Sequence, residues 1–398
     1  MPRPRLGPRP VVRPLALACA IALSLVAGAS SCSSWRHLET HERWMLYGKP
    51  GDTLDAEKVA RALEPAFQAV EARLGPFRSR VNVHAWTAPA DPESAPKVPS
   101  EGAERIEEVP GIGKARVRAY HVTGGASLFA PSGVFLGTTE VGTVVHELVH
   151  ARLAELDRRV PLWFEEGLAS YWGDGACYEG EWYVDGLACW PARVLRDEPI
   201  SDAELARLLA LSAEQDYSSR DNLLVHFVGW AIVFDLAREL PDGTHTAWLA
   251  RFESGAKQNG VVAEARRRLE SSLAPETTSA WLARLSDESP GVRLAAAKGL
   301  WKLRDPKAID ALIAAVAHEE DSEVKLALGL NALLSVGEMR VSRRTWRDLW
   351  RKVMPAIAGI ELSDHEEGPA LREFLRGMRG RGGNTQAGLD ALARFWEE

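Results

Sequence analysis

Cysteine is scarce in this chain, with four residues in 398. A fold stapled by a disulfide framework is thereby excluded, and stability has to come from a buried core, for which the length is ample. Acid is missing altogether before Glu39. The apolar run at the N-terminus, Leu15–Ala29, is too short to cross a bilayer, with fifteen residues against roughly 20 for a spanning helix. An excess of base is lacking as well, since 48 Lys and Arg face 55 Asp and Glu. That balance removes any general attraction for nucleic acid or anionic lipid headgroups. The remainder is ordinary for a soluble globular protein, with 26% charged and 46% hydrophobic residues, in a length that suggests two or three domains.

The absences at the N-terminus combine into a signal. Arg3, Arg5, Arg9 and Arg13 precede the apolar run and Ser30-Ser31-Cys32 follows it, so residues 1–31 read as an export segment. Ala29-Ser30-Ser31-Cys32 resembles a bacterial lipobox, which implies a lipid anchor at Cys32, while Ala27-Gly28-Ala29 offers an ordinary secretory cleavage site. Either reading places the chain in the bacterial envelope, lipid-anchored or periplasmic or secreted, with membrane contact only through the anchor. Loss of residues 1–31 removes four Arg, leaving 44 basic against 55 acidic side chains, a net charge of −11. Cys19, inside the run, is a small hydrophobe. Cys177 and Cys189 flank an eleven-residue loop containing Trp and Gly, and in an exported protein this pair predicts a disulfide.

The stretch that carries chemistry is Val144-Val145-His146-Glu147-Leu148-Val149-His150-Ala151. As a helix it projects His146 and His150 from one face, one turn apart. Two ring nitrogens so spaced can reach one tetrahedral Zn²⁺ at about 2.0–2.1 Å. Glu147 is turned by about 100° from His146, beside the metal, where it serves as general base on water. This is the H-E-x-x-H pattern of metallopeptidases. After a charged helix end comes Pro161-Leu162-Trp163-Phe164-Glu165-Glu166-Gly167-Leu168-Ala169-Ser170-Tyr171-Trp172. The two motifs together resemble the gluzincins, and within them the bacterial peptidase-MA-like proteins, over roughly Trp44 to Leu240. The resemblance implies a zincin-like (thermolysin-type) fold and makes Glu166 the third zinc ligand. It also implies that Gly167 and Ala169 are small because their helix crosses close to the zinc helix. One departure is Ser170, which stands where thermolysin-like enzymes place an Asp that orients a zinc His, so the partner of His146 or His150 is unassigned.

Around these motifs, strands are predicted at Arg43–Gly48, Arg80–Trp86, Arg116–Val122 and Ser127–Leu136, and an amphipathic helix at Asp55–Leu74. The last strand corresponds to the gluzincin edge strand that pairs with extended substrate. Val109–Ala115 resembles the hairpin of the helix-hairpin-helix DNA motif, but alternating Val117, Ala119 and Val122 after it read as a Gly-rich turn entering a strand. Helices follow at Asp202–Leu211, Tyr217–Leu240, Thr244–Ser254 and Val261–Ser272. Tyr217, by its place in peptidase-MA-like proteins, is a candidate oxyanion donor, with Tyr171 and His226 as rivals.

Past a boundary near residues 272–278, Ser289–Ala296 recurs as Asp321–Leu328 at an offset of 32 residues. Asp305–Leu312 between them opens a second helix, as in short HEAT-like repeats. The expected fold class is therefore α+β, with a metallopeptidase domain over residues 35–272 and an all-α HEAT-like domain over 278–398. The expected function is an exported zinc metallopeptidase acting on protein or peptide, with a possible protein partner on the HEAT-like helices and no nucleic acid. A catalytically silent scaffold that binds a partner is the alternative. A cell-wall hydrolase is a third, though the sequence shows no glycan-binding motif to favour it.

Overall fold

The computed structural model describes residues 35–48, 54–86, 106–109, 113–116, 119–122, 133–136, 141–156, 160–184, 191, 194–196, 198–212, 218–273, 276–303, 308–338 and 351. Residues 1–31, expected to be an export segment, lie outside the described residues, as do Cys32, Cys189 and Tyr217.

The first layer is a five-stranded sheet of order β1-β2-β3-β7-β6. Its strands are β1 (Arg36–Thr40), β2 (Trp44–Gly48), β3 (Val81–Ala85), β7 (Gly133–Leu136) and β6 (Ala119–Val122). β2, β3 and β7 run parallel, while β1 and β6 close the two sides antiparallel. Helix α1 (Ala56–Leu74) makes the crossover that a parallel β2–β3 pair requires. It starts where the Asp55 carboxylate accepts from the backbone N–H groups of Glu57 and Lys58, and it ends at Gly75 with φ 76°. The stripe expected from the 3.6-residue period, Val59, Ala62, Leu63, Ala66, Phe67 and Val70, is the stripe that is buried. Pro65 sits inside α1 without ending it.

Beside α1 lies α2 (Val141–Glu155), apolar enough to be covered on several sides, with Val144, Val145, Leu148 and Val149 buried. Its C-terminal end is tied down. Arg152 Nε donates to the Gly75 carbonyl at 2.9 Å, and the Glu155 carboxylate accepts from the backbone N–H groups of Arg78 and Ser79. The start of β3 and the end of α2 are thus locked together.

A small hairpin, β4 (Ile106–Val109) with β5 (Gly113–Arg116), takes the place of the DNA-motif look-alike, as expected of a Gly-rich turn. β7 is inner, paired on both sides, so among the described strands the edge beside α2 is β6 and not the strand the resemblance pointed to. Only Gly133–Leu136 of the expected Ser127–Leu136 strand is among the described strand residues, and the expected Arg116–Val122 strand is divided between β5 and β6.

Helix α3 (Leu162–Trp172) follows, then a hairpin of β8 (Gly175–Tyr178) and β9 (Glu181–Val184). The sequence predicts a loop between Cys177 and Cys189, and the hairpin occupies its first half. Its two-residue turn, Glu179-Gly180, has positive φ at both positions (50° and 79°), which suits a tight hairpin between short strands. Cys177, on β8, is a free thiol, and Cys189, its partner in the expected disulfide, lies outside the described residues.

The second layer is helical: α4 (Asp202–Leu209), α5 (Ser219–Glu239), α6 (His245–Asn259), α7 (Val261–Ser272), α8 (Glu276–Arg284), α9 (Pro290–Leu303), α10 (Ile309–His318) and α11 (Ser322–Glu338). Among the described residues no helix is long and apolar enough to cross a membrane. α5 is the central helix, with Leu224, Val228, Trp230, Ala231, Ile232 and Val233 at or near zero exposure. Arg268 of α7 is fully buried and binds Asp235 (2.7 Å) and Glu239 (3.0 Å) of α5 and Glu264 (2.7 Å) of its own helix.

Three carboxylates around one buried guanidinium are costly to leave unpaired. Arg268→Ala should therefore destabilise the protein by about 3–5 kcal/mol, read by urea unfolding. Burial pushes Glu264 and Glu239 up, but Arg267, Arg251 and Arg268 outweigh it and hold both carboxyls below their ordinary value. Depressed carboxyl pKa values contribute stability above the unfolded value of about 4.3 and lose it as pH falls through the folded values. The Arg268→Ala penalty should shrink accordingly in melts run from pH 7 down to pH 3.

Candidate metal centre

α2, α3 and α5 meet at one cluster. His146 and His150 project from α2, and their Nε2 atoms stand 3.2 Å apart. Glu166, on α3, places Oε2 3.5 Å from His146 Nε2 and 3.2 Å from His150 Nε2. Donors held at about 2.0–2.1 Å around a tetrahedral ion stand roughly 3.3–3.4 Å apart, so the triangle has the size of a tetrahedral face. Two imidazoles and a carboxylate are also the donor chemistry of Zn²⁺. His146, His150 and Glu166 are a group with ligand atoms close enough to hold a metal ion.

The cluster polarises itself. Burial pulls His146 down to about 4. It acts the same way on His150, but Glu166 and Glu165 outweigh it and hold that ring well above its ordinary value. Burial raises Glu166, yet His226, His150 and His146 keep its carboxyl well below the usual range. Glu147 is 6% exposed, and burial pushes it up to about 7. His150, Glu166 and His226 all act on it electrostatically. A divalent cation at the triangle would draw Glu147 back towards its charged form.

Glu165 answers the question that Ser170 left open. Its Oε1 lies 2.9 Å from His150 Nδ1, so the ring can donate from Nδ1 and turn its Nε2 lone pair to the triangle. A carboxylate of this kind fixes the tautomer and raises the basicity of a ligand His. The motif resemblance gives a role only to the second of the two adjacent glutamates. Helical geometry separates them by about 100°, enough to send one to the triangle and the other behind the ring.

His226 of α5 comes to the cluster from the far side. Its Nδ1 donates to the Asn222 carbonyl at 2.7 Å and its Nε2 faces Glu166 Oε2 at 2.9 Å. Its ring is parallel to that of His146 (interplanar 5°, centroids 5.4 Å) and it stands outside the three-donor group. Burial lowers its pKa, and Glu166 outweighs burial and raises it.

Tyr171 is placed elsewhere. Five positions beyond Glu166 on α3, it lies edge-on to Trp248 (centroids 5.9 Å) and Phe234 (6.5 Å). The angular step of the helix turns it by about 140° from Glu166. Tyr217 lies outside the described residues.

The approach of α3 to α5 depends on two glycines. A Cβ at Gly167 would meet the Gly229 carbonyl carbon at 2.4 Å, and one at Gly229 would meet the Trp163 oxygen at 1.9 Å. Gly167 is therefore small because of α5, not because of the zinc helix as the resemblance implied. Gly173, just past α3, is the residue that meets α2, where a Cβ would stand 2.6 Å from the Gly142 oxygen and 3.2 Å from His146 Cβ. Gly229→Ala should force the helices apart, costing about 1–3 kcal/mol or more from overpacking. It should also separate His226 from Glu166. Urea unfolding with zinc titration checks both, and an unchanged midpoint would contradict the crossing.

On the side away from α5, the hairpin β8–β9 packs against α9, and Tyr178 of β8 donates to Asp321 at the start of α11 at 2.7 Å. The opening turns of α9 and α11 repeat each other in structure as in sequence. Ser289 Oγ accepts from Val292 N–H at 3.4 Å, and Asp321 Oδ1 accepts from Val324 N–H at 2.9 Å. Residues 259–332 match HEAT repeats. The matched residues run from the end of α6 through α7, which carries Arg268, into α11. Comparison with curated proteins and with solved structures gives no match.

Proposed function

We propose that the chain is a zinc-dependent peptidase of the gluzincin type, exported to the bacterial envelope, with HEAT repeats built onto its helical side. The observation that carries this reading is the 3.2, 3.2 and 3.5 Å triangle of His146, His150 and Glu166, with Glu147 next in sequence to a ligand. Bound zinc supplies a Lewis acid that polarises the scissile carbonyl and acidifies water. Glu147 takes a proton from the attacking water as its oxygen bonds to the carbonyl carbon, and returns that proton to the amine nitrogen as the C–N bond breaks. Glu165 orients His150. His226 donates from Nε2 to the oxygen on which negative charge develops, in preference to Tyr171, whose ring lies among Trp248 and Phe234. Metal analysis of the purified chain with a peptide-library digest tests the reading. A preparation that neither takes up zinc nor cleaves peptide overturns it.

A silent scaffold is disfavoured by Glu147, a buried acid that a purely structural metal site does not need. HEAT repeats stack into surfaces that commonly bind other proteins, which supports a protein partner alongside a peptide substrate. The lipid anchor at Cys32 is part of the same proposal. The mature chain should begin at Cys32 and carry acyl mass by intact mass spectrometry, whereas a start at Ser30 would indicate plain secretion.

A further inference from the structure

The hairpin β8–β9 is the only short sheet among the described residues that lies between the metal-bearing helices and the HEAT repeats. On one side β8 packs against α2 and β9 against α1. Trp182 Nε1 donates to the Trp172 carbonyl, the end of α3, at 3.1 Å. Gly173, the link from α3 into the hairpin, backs directly onto His146 Cβ. On the other side the hairpin reaches the same turn in two successive repeats. Tyr183 lies against Gly291 in the first, where a Cβ would stand 2.2 Å from its ring. Tyr178 donates to Asp321 in the second, 2.7 Å away. Gly291 and Asp321 each lie in the opening turn of their own copy, next to Ser289-Pro290 and Ser322-Glu323. Arg293 joins the two copies through a bidentate pair with Glu319 at 2.8 Å.

We infer that the HEAT repeats act as a brace for the metal centre, with Tyr178 and Asp321 as positioning residues that hold β8–β9, and through Trp172 and Gly173 the α3 and α2 donors, in register. The physical argument is one of rigidity. A two-stranded hairpin is marginally stable by itself, and this one stands directly behind a donor set whose spacing must hold to a few tenths of an ångström. The repeats supply the missing layer. Two repeats need a neighbour to cover their open face, and the hairpin supplies that in return. The inference rests on the metal reading for its zinc and cobalt measurements, and not for amide exchange.

The test uses the full chain and two substitutions outside the metal cluster, Tyr178→Phe and Gly291→Ala. The first removes only a hydroxyl, so the fold is kept. Zinc affinity by chelator competition should fall roughly 10-fold in each, at the low end of the 10–100-fold range for groups acting behind a ligand. The visible spectrum of the cobalt-substituted protein should shift, which a loss of stability alone would not cause. Amide exchange in metal-free protein should quicken about 10-fold over Leu162–Trp172, with Trp44–Gly48 unchanged as a control. Exchange that quickens only in β8–β9 and α9, with cobalt spectrum and zinc affinity as in wild type, overturns the brace while leaving the metal reading intact. A wild-type chain that takes no zinc overturns the metal reading, and the exchange pattern still decides the brace.

Discussion

Replacing Glu147 by glutamine should lower peptide hydrolysis by about 10²–10⁴-fold, the usual weight of general acid–base catalysis. Zinc content should stay at the wild-type level. Glutamine keeps the size and shape of the side chain, and Glu147 is not among the three donors. The melting temperature should hold or rise, because the substitution replaces a buried acid whose ionisation burial opposes by a neutral amide. In steady-state kinetics the loss should fall on kcat, since a proton in transit is an interaction of the transition state and not of the bound substrate. A variant that cleaves peptide at the wild-type rate would sink the mechanism whatever its metal content. A wild type without hydrolysis, binding a partner equally well in both forms, would favour the scaffold.

Glu166→Ala and Glu165→Ala should part company. Glu166 supplies the one anionic donor, and its Oε2 faces three ring nitrogens at 2.9, 3.2 and 3.5 Å. Its removal should abolish stoichiometric zinc at micromolar chelator, taking from His146 and His226 the carboxylate they face while His150 keeps Glu165. Glu165 acts behind His150, so its removal should weaken zinc about 10–100-fold and leave the ion present at saturation. Glu165→Gln should recover part of that loss, because an amide oxygen still accepts from His150 Nδ1. Equilibrium dialysis of the three variants at one pH reads the order. If Glu165→Ala emptied the site and Glu166→Ala did not, the donor assignment between the adjacent glutamates would be reversed.

Much of this arrangement was legible in the sequence because local periodicity encodes it. His146 and His150 share a face by the geometry of any helix, and the stripe on α1 follows from its 3.6-residue spacing. The 32-residue recurrence of Val292 and Val324 predicted stacked helices, and HEAT repeats match there. The hairpin β8–β9 was missed because its strands are four residues each and its turn, Glu179-Gly180, is weaker than Asn-Gly or Asp-Gly. The sheet order was out of reach as well. Strand pairing depends on contacts far apart in sequence, and alternation alone could not say that β7 is inner and β6 the edge.

What the sequence by itself determined is the chemistry: which helix carries the two His, which glutamate follows them, and where the repeats recur. Tertiary structure alone decided the company these groups keep. Glu165 behind His150 follows from the packing of α3 against α2, His226 on Glu166 from the Gly167–Gly229 contact that lets α5 come close, and the contact of β8–β9 with the repeats from two tyrosines that reach turns more than a hundred residues away. Local spacing fixes where a side chain points on its own element. Only packing between elements fixes what it meets, because that energy is shared among groups with no fixed separation along the chain.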